Sequence, residues 1–444
     1  MEAVTLTVAA IASTLILFSS PVHGLGVFIA VLCLYPRYLN VPLGTIDFNA
    51  SRIVIMALFV KLFLMTDLPR RFKFIWLDKL LIGYFIAQFL ASITTSRSFM
   101  AFLEHWLGSA VDMVLPYFAV RMIIIDRQKY LTILKWIFVI AAPLALAGFY
   151  QCITGVNPVG FFRNYFAWSG RDYFPQSRFG LMRADVVFEH SIMYGLFFAM
   201  FGPVCVGILG HVKKHKLFYW VGLGLMCLGL FSCLSSGPAL AAMLSIGFLA
   251  FYRFRRYWKA ALITVVIMCG IVEIVSNRHF YDVIDRFTLS SSTAYYRSRL
   301  IEVALYEGGM SGHWITGYGY DVDPGWGPKI DRRSFTDMVN YYLSILSRYG
   351  LVGLVPFFAV GIEAVRRLVR AYKMSIYDAD KWIVWCLGAV LFGMVAALGT
   401  VSLHDNTKTI FYVIIAFCGV MPMIVRHSKR HLITLNNVDR STQD

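Results

Sequence analysis

Thirteen apolar runs, spread from one end of the chain to the other, constrain the fold more than any other feature. A bilayer core about 30 Å thick requires about 20 apolar residues per helix. Here 58% of the residues are hydrophobic, whereas soluble domains have about 45–50%. The runs lie at 4–20, 22–35, 52–66, 80–94, 104–124, 131–153, 191–212, 217–234, 238–252, 260–275, 342–365, 382–403 and 409–425. They predict an all-α polytopic membrane protein with about 12 or 13 transmembrane helices.

The number depends on the first two runs, which are short. They predict either two spans, or one span and a re-entrant segment. The first run lacks the basic segment that precedes a cleavable signal, and more apolar sequence follows it at once, so we expect it to remain as a helix. Residues 1–444 are then a single membrane domain.

The eight cysteines predict neither a metal site nor a disulfide framework. All of them lie in or beside apolar runs, and there is no C-x-x-C pair. Thiols in such positions are expected to be small buried hydrophobic groups. The chain also lacks a glycine-rich phosphate loop, which disfavours ATP-driven work. We expect no metal and no cofactor.

The basic residues predict which helix ends face the cytoplasm. Loops rich in lysine and arginine follow alternate helices, at 70–73, 127–129, 213–216, 253–259, 366–373 and 426–430. Because such loops stay on the cytoplasmic side, topology explains most of the net charge of +16 without a nucleic-acid partner. We therefore expect a bacterial inner-membrane protein with a cytoplasmic tail, 426–444, and two long periplasmic loops, 154–189 and 276–339.

These two loops carry ten arginines and one lysine, against the usual charge bias. The arginines are Arg163, Arg171, Arg178, Arg183, Arg278, Arg286, Arg297, Arg299, Arg332 and Arg333. Arginine presents a planar fork that binds phosphate or carboxylate bidentately, so the loops predict an anionic substrate. The alternative is that several arginines pair with aspartates of the same loops. Substrate contact is favoured for Arg183 and Arg297, which stand next to helix starts.

Aromatic residues accompany the arginines. Seven lie between Phe161 and Phe174, and the second loop has Trp314, Tyr318 and Tyr320 among others. Aromatic rings with a polar edge suit sugar faces, although aromatic belts at a membrane interface have much the same composition. The loops are therefore predicted to bind a glycan that carries an anionic group.

Four sequence elements occur in an order that is typical of one family. They are RADVVFEHS at 183–191, LSSGP at 234–238, YRSRLI at 296–301 followed by GYGY at 317–320, and Val339-Asn340 followed after nine residues by GLVG at 350–353. Together they resemble elements of the O-antigen ligase and polymerase superfamily, and the resemblance covers roughly residues 154–354.

The resemblance implies a glycosyltransferase of GT-C-like architecture that works at the periplasmic face. Such proteins transfer a glycan from undecaprenyl pyrophosphate to an acceptor, without metal or nucleotide. Ligases use the lipid A core as acceptor, whereas polymerases use another lipid-linked repeat unit. The implied partners are an undecaprenyl-pyrophosphate-linked oligosaccharide and membrane lipid, and an export protein that sets chain length is a further candidate.

Three positions depart from the ligase pattern. Val339 replaces the histidine before Asn340, Ser236 replaces an arginine common in the hairpin, and Ser191 replaces the proline after His190. Valine cannot accept a proton, so the presumed ligase base is missing at its own position. The pattern is closer to xanthan-type polymerases. We expect polymerisation of repeat units into exopolysaccharide or O-antigen, with a ligase as the alternative.

The expected mechanism is a single inverting displacement, because pyrophosphate leaves without a general acid. Arg183 and Arg297 are predicted to clamp the pyrophosphate, with N–H groups at helix starts adding to the anion site. Asp337 is predicted to accept the proton of the attacking hydroxyl, and its alternative role is to complement a helix dipole. His190 is a catalytic candidate of open role, and His313 is a third candidate base.

The other predicted contacts to substrate are Arg163, Arg178, Arg299, Arg332, Arg333, Tyr318 and Asn340. Ionisable residues within a span are functional candidates by default. Among these, Glu104 and His105 are expected to cap a helix at the outer surface, and Asp112 is expected to face the bundle.

Two functions outside glycosyl transfer remain open from sequence. A lipid-linked oligosaccharide transporter or flippase commonly has repeated halves, which this chain lacks. A scaffold in an export complex predicts no dependence on any single loop arginine.

Overall fold

The chain folds into a bundle of long helices with two small β-hairpins in its connections. The computed structural model describes residues 1–43, 46–65, 72–96, 98–165, 176–212, 214–275 and 291–441. The helices are α1 (Glu2–Phe18), α2 (Pro21–Leu34), α3 (Ala50–Leu64), α4 (Trp76–Thr95), α5 (Phe99–Ser109), α6 (Leu115–Ile123), α7 (Arg127–Thr154), α8 (Ser191–Val206), α9 (Lys216–Ser232), α10 (Ser236–Ala250), α11 (Trp258–Val275), α12 (Ser291–Ile301), α13 (Gly327–Ile330), α14 (Tyr341–Met374), α15 (Asp378–Ala397) and α16 (Asp405–Ser441). Strands β1 (Asn40–Leu43) and β2 (Ile46–Asn49) pair antiparallel, as do β3 (Ser177–Arg178) and β4 (Leu181–Met182).

Each apolar run of the sequence coincides with a helix. Within the described residues, eight helical segments are long and apolar enough to cross a membrane, and three shorter apolar helices, α1, α2 and α9, accompany them. The expectation of an all-α, multi-pass membrane protein is therefore confirmed.

The first two runs form separate helices that lie antiparallel. Pro21 occupies the first turn of α2, where its missing N–H costs no hydrogen bond. The hydroxyls of Thr5 and Tyr35, 2.9 Å apart, join the start of α1 to the end of α2. At the other end, Lys61 of α3 donates to the carbonyl of Ile16 at 2.7 Å, which satisfies an open group at the end of α1.

Helix α16 lies at the centre of the bundle. In an apolar stretch of 18 residues within Asp405–Ser428, 89% of the residues are buried, as expected for a helix that is apolar on all sides. Helices α6, α8, α14 and α15 pack against it, and α14 packs on α4 as well. The helix continues beyond the bundle to Ser441, so most of the predicted tail, 426–444, is an extension of α16.

The starts of α8, α14 and α16 lie together, and we call this the loop end of the bundle. The Tyr341 N–H donates to the carbonyl of Leu398 at 2.8 Å, which joins the start of α14 to the end of α15. The Thr407 hydroxyl lies 3.1 Å from the sulfur of Met193, near the starts of α16 and α8. Both long loops lead into helices that begin here, so they meet at one end of the molecule.

One π-helical turn, Ala110–Val114, joins α5 to α6 without a break. Ser98 caps α5, since its hydroxyl accepts from the Ala101 N–H at 3.2 Å. The expectation that Glu104 and His105 cap this helix is therefore wrong, because both lie inside it. The extra residue of a π turn is often found at functional sites, and this one contains Asp112.

The cysteine side chains are free thiols among the described residues. Cys33, Cys152, Cys205, Cys233, Cys386 and Cys418 are buried, as expected, whereas Cys227 is exposed on α9. The expectation is wrong for Cys227, because hydropathy does not distinguish a residue that faces outward from an apolar helix from one that faces inward.

The second long loop has a small hydrophobic core of its own. Leu300 and Val303, from α12 and the π turn after it, pack with Trp326 beside α13. This core continues into Leu343 and Leu346 on the first turns of α14. The described part of the loop is therefore anchored on the start of a long helix.

Candidate functional site

The first long loop packs on the hairpin between α9 and α10. Arg183 is buried, its Nε lies 3.4 Å from the carbonyl of Cys233, and its guanidinium also donates to the side chain of Gln176. Nη1 of Arg178 donates to the carbonyl of Leu234 at 3.1 Å. The Ala184 N–H adds a backbone hydrogen bond to the same hairpin. Two of the four sequence elements, at 183–191 and 234–238, are thus in direct contact.

His190 caps α8. Its Nδ1 accepts a hydrogen bond from the Ile192 N–H at 3.1 Å, which is a standard N-cap contact made by an unusual side chain. A ring whose Nδ1 accepts carries its proton on Nε2 when it is neutral. In this arrangement His190 can donate a hydrogen bond to a substrate, but it must release its cap before it can act as a base.

The glycines of the last two sequence elements lie against each other. Gly350 has φ +59° and kinks α14, and a Cβ there would stand 2.2 Å from the carbonyl oxygen of Ile315. A Cβ on Gly317, with φ +75°, would stand 2.6 Å from the carbonyl oxygen of Ser347. Only glycine allows both the positive φ and the close backbone approach. The GYGY and GLVG segments therefore form one joint between loop and helix.

Asp337 lies beside α12, the helix that carries Arg297. The Asp337 N–H donates to the hydroxyl of Tyr296 at 2.8 Å. Arg333 lies above the Tyr296 ring, 5.3 Å from its centroid, and its Nη1 is 3.8 Å from the Asp337 carboxylate. Arg297 itself is buried. The structure thus groups three residues predicted for the site, Asp337, Arg333 and Arg297, on adjacent segments of the second loop.

The surroundings of Asp337 favour its protonated form. Although half of its side-chain surface is exposed, burial by the neighbouring protein raises the pKa of this carboxyl, Arg333 opposes the shift and Asp331 adds to it. A raised pKa brings a carboxylate closer to the range in which it serves as a general base near neutral pH.

Other predicted contacts are engaged in internal interactions. Arg299 pairs with Glu302 at 2.9 Å and with Glu307, as in the alternative that loop arginines are salt-bridge partners. The ring of Tyr318 stacks on His313 with centroids 3.8 Å apart, and its hydroxyl donates to the carbonyl of Gly309. Arg332 is exposed with φ +64°.

Some of the sequence predictions fall on residues whose side chains or backbone lie outside the described part. They are the side chain of Arg163 and all of Arg171, Arg278 and Arg286.

Asn340 caps α14, and the first turns of this helix have two different faces. The Asn340 side chain accepts from the Leu343 N–H at 3.1 Å. Leu343 and Leu346 pack against the core of the second loop. The opposite face points into the bundle. Its residues follow a spacing of three or four: Tyr341, Ser344, Ile345 and Arg348. The start of α14 is therefore a wall between the loop and the interior.

Asp112 binds two arginines inside the bundle. One of its oxygens lies 2.6 Å from Nη2 of Arg37 and 2.7 Å from Nη2 of Arg52, and its other oxygen accepts from Nε of Arg52. Arg37 also reaches Asp405, at 3.4 Å. The expectation that Asp112 faces the bundle is confirmed, since only 12% of its side chain is exposed.

We expect Asp112→Asn to lower the free energy of unfolding by about 3–5 kcal/mol, because it removes the carboxylate of Arg52 and leaves Arg37 with its ion pair to Asp405 in a buried setting. Thermal unfolding of the purified protein measures this. Asp378→Asn is the matched control: its carboxylate is 84% exposed and pairs with Lys381, a type of pair worth about 0–1 kcal/mol. Equal stability of the two variants would contradict the assignment, and Arg52→Gln should partly rescue Asp112→Asn.

A cleft opens beside this network, between α4, α14 and α16. Its lining residues are Tyr84, Gln88, Tyr341, Ser344, Ile345, Arg348, Tyr349, Leu403 and Lys408. Two of them are cations, Arg348 on α14 and Lys408 on α16. Lys408 interacts electrostatically with Asp112, Arg348, Arg37 and Arg52. The cleft and the Asp112 network therefore belong to one electrostatic cluster.

Aromatic residues connect this cluster to the second loop. His105 of α5 stacks on Tyr320 with ring centroids 3.8 Å apart. The same histidine lies 2.6 Å, through Nε2, from the hydroxyl of Tyr349, which lines the cleft. The hydroxyl of Tyr320 donates to the carbonyl of Ala101 at 2.5 Å. The GYGY segment thus reaches α5 as well as α14.

The predicted site residues form two groups. Arg178, Arg183 and His190 belong to the first, and Arg297, Arg333, Asp337 and Asn340 belong to the second. Electrostatic interactions in the cluster connect the two groups. Glu189 interacts with Arg37, Arg37 pairs with Asp405, and Lys408 interacts with Arg348 on α14.

Sequence reasoning missed the role of Arg37, Arg52, Arg348 and Lys408. Arg348 and Lys408 lie near the starts of α14 and α16, at the loop end. The predicted topology places this end outside the cytoplasm, where the charge bias does not lead one to expect basic residues. The spacing of Tyr341, Ser344 and Arg348 on one helix face was a further signal. Both signals lie in helices, outside the long loops.

His404 makes the stability of this cluster depend on pH. Burial, and then the charge of Arg348, lower the pKa of His404 from 6.5 to about 4. As the pH falls from 6.5 to 4, the His404 imidazole stays neutral in the native state but takes up a proton in the unfolded state. This contribution to stability is present above pH 6.5 and is lost as the pH falls to about 4, by about 3 kcal/mol in total.

The measurement compares thermal unfolding at pH 7 and pH 4.5. His404→Gln is expected to reduce the difference between the two melting temperatures, whereas His427→Gln, a change at an exposed position of α16, should leave it as in the wild type. An unchanged difference in His404→Gln would show that His404 is not the group responsible.

Comparison with known proteins adds no relative: no protein-family model matches the chain, and no curated protein matches it significantly.

Proposed function

We propose that this protein polymerises oligosaccharide repeat units carried on undecaprenyl pyrophosphate, at the periplasmic face of a bacterial inner membrane. In this proposal it is a metal-independent, inverting glycosyltransferase of GT-C-like architecture, and its loop end faces the periplasm. The product is exopolysaccharide or O-antigen. An export protein that sets chain length is the proposed partner.

The observation that carries the proposal is the packing of the four sequence elements. They form two contacting pairs at one end of the bundle: Arg183 with the carbonyl of Cys233, 50 residues away, and the backbone at Gly350 with that of Ile315, beside Gly317. Beside them lies a cleft with two cations. An enzyme that binds a lipid-linked anion from the membrane needs positive charge at this position, next to loops that can hold a glycan.

The proposed reaction needs three side chains from the protein. The acceptor hydroxyl forms a bond to the anomeric carbon of the donor sugar while the bond from that carbon to the pyrophosphate oxygen breaks. The leaving pyrophosphate keeps the electron pair, and Arg183 and Arg297 neutralise its charge. The hydroxyl proton passes to the carboxylate of Asp337.

A ligase is the second candidate within the same chemistry. Its presumed base would stand at Val339, which packs against the core of the second loop and has no group that can accept a proton. Asp337 is two residues away, so a base is available on the same segment for a different acceptor. This favours a polymerase over a ligase of the usual pattern.

The test uses the full chain in nanodiscs, with a synthetic undecaprenyl-pyrophosphate repeat unit and no nucleotide. We expect a ladder of longer glycans, with one undecaprenyl pyrophosphate released for each bond formed. Product that forms only after addition of lipid A core would identify a ligase. Movement of intact substrate across the membrane without new bonds would identify a transporter. Product formation that no loop arginine affects would contradict the proposed site.

A further inference from the structure

Lys408 and Arg348 are cations that the described protein does not neutralise. Neither side chain forms a hydrogen bond or an ion pair with a described residue. The charges that Lys408 senses are one carboxylate, Asp112, and three guanidiniums. Asp112 is already held by Arg37 and Arg52, at 2.6 and 2.7 Å. Arg37 also interacts with Asp405 and Glu189, so among these residues four cations stand against three carboxylates, and positive charge exceeds negative charge.

An excess of charge inside an apolar bundle is unfavourable unless a partner of opposite sign compensates it. Leu403 and Ile345 lie in the same lining as the two cations, so water alone does not surround them. An anion bound between Arg348 and Lys408 would supply the missing charge.

The uncharged polar residues of the cleft can donate hydrogen bonds. Tyr84 and Gln88 approach from α4, and Tyr341 and Tyr349 from α14. The hydroxyl of Tyr84 and the side-chain oxygen of Gln88 are buried without a hydrogen bond of normal geometry to the described residues. The amide of Gln88 can present its NH₂ group instead of its oxygen. Polar groups from two helices thus line the cleft beside the cations, and one of them, the Tyr349 hydroxyl, also contacts His105.

We propose that this cleft is a second anion site, which binds the phosphate group of a phosphate-bearing lipid, separately from Arg183 and Arg297. Donors that converge from α4, α14 and α16 suit the tetrahedral oxygens of a phosphate better than a planar carboxylate, which a single guanidinium can satisfy. The choice of an isoprenoid diphosphate as the lipid rests on the proposed function.

The experiment measures binding to the full chain in detergent, with farnesyl diphosphate as the probe. Farnesol, inorganic pyrophosphate and phosphatidylglycerol are compared with it. We expect farnesyl diphosphate to bind and farnesol not to bind. Lys408→Gln and Arg348→Gln should each weaken binding about tenfold or more, since each removes a charge-assisted hydrogen bond.

Arg366→Gln is the matched control. Arg366 lies on the same helix as Arg348, but its side chain is 72% exposed and it pairs with Glu363 at 3.8 Å. We expect this variant to bind farnesyl diphosphate as the wild type does.

Thermal unfolding without ligand separates a binding role from a structural one. If the two cations hold the fold together, Lys408→Gln and Arg348→Gln will melt at a lower temperature than the wild type. We expect the opposite for Lys408→Gln, a higher melting temperature, because the change removes uncompensated charge. The diphosphate should then raise the melting temperature of the variant less than that of the wild type, because only the proposed clamp at Arg183 and Arg297 still binds it.

The outcomes distinguish the possible ligands. Binding of inorganic pyrophosphate as tight as that of farnesyl diphosphate would support an anion site but overturn the assignment of a lipid as its ligand. Preference for phosphatidylglycerol would support a phospholipid site and overturn the isoprenoid. Binding that neither variant weakens, or no binding at all, would overturn the site. Chain lengthening by a protein without this binding would leave the polymerase proposal intact, and binding without chain lengthening would leave the anion site intact.

Discussion

Arg183→Lys and Arg297→Lys are each expected to reduce polymer formation about 100-fold or more while leaving expression unchanged. Lysine keeps the charge but loses the planar fork that binds two phosphate oxygens at once. Removing one group that stabilises charge in a transition state costs about 100-fold to 1,000-fold in rate. Both arginines are buried, with 6% of their surface exposed, so the interactions lost are not ones that water readily replaces.

The measurement is the yield of glycan longer than one repeat unit, in vesicles with matched amounts of protein. Arg366→Lys, at an exposed position far along α14 from the loop end, serves as control and should keep wild-type yield. Buried arginines also stabilise loops, so thermal unfolding of each variant is recorded. Wild-type polymer from both lysine variants would refute the pyrophosphate clamp.

Asp337→Asn is expected to reduce the rate of chain lengthening by about 100-fold or more, as for the loss of a general base. Asparagine keeps the shape of the side chain but cannot accept a proton. Because burial and Asp331 raise the pKa of Asp337, the wild-type rate should decline on acidification at a higher pH than an ordinary carboxyl with a pKa of about 3.9 would produce.

Arg333 supplies an independent check on this assignment. It lies 3.8 Å from the Asp337 carboxylate and opposes the rise in its pKa. Arg333→Gln should therefore move the acid decline of the rate to higher pH, whatever it does to substrate affinity. Unchanged polymer length and yield in Asp337→Asn would remove Asp337 from the mechanism, and an unmoved pH profile in Arg333→Gln would separate the two residues.

Helix positions were predictable from the sequence because each depends on local hydropathy. The runs 191–212 and 382–403 were found without knowledge of their neighbours, and they correspond to α8 and α15. The sequence left open whether the first two runs form two spans. In the structure they are separate helices joined by a contact between Thr5 and Tyr35, and local hydropathy does not reveal a contact across 30 positions.

The charged cluster was largely not predictable, for a different reason. Asp112 stood out as an acid within an apolar run, but its partners Arg37 and Arg52 precede it by 75 and 60 positions, and nothing local marks them as a pair. Arg348 and Lys408 resembled ordinary charges at helix starts. Only the packing of α4, α14 and α16 makes them face one cleft.

The loop elements were an intermediate case. The glycines at 317 and 350 were recognisable as parts of a pattern, but the pattern did not say that they touch. Arg299 and Tyr318 were singled out by residue type alone, and the structure places them in internal contacts with Glu302 and Gly309. Residue type indicates what a side chain can bind, whereas its neighbours determine what it does bind.

The joint at Gly350 has a consequence for how this protein can diversify. The kink leaves backbone groups of α14 without partners in the helix, and backbone groups of the loop bond to them. The N–H groups of Leu351 and Val352 donate to the carbonyls of Trp314 and Ile315, and the Tyr318 N–H donates to the carbonyl of Ser347. Main-chain bonds of this kind do not depend on which side chains the loop carries. The surface of the loop can therefore change while its attachment persists, and a loop grafted with glycines at the same spacing should dock on the same helix.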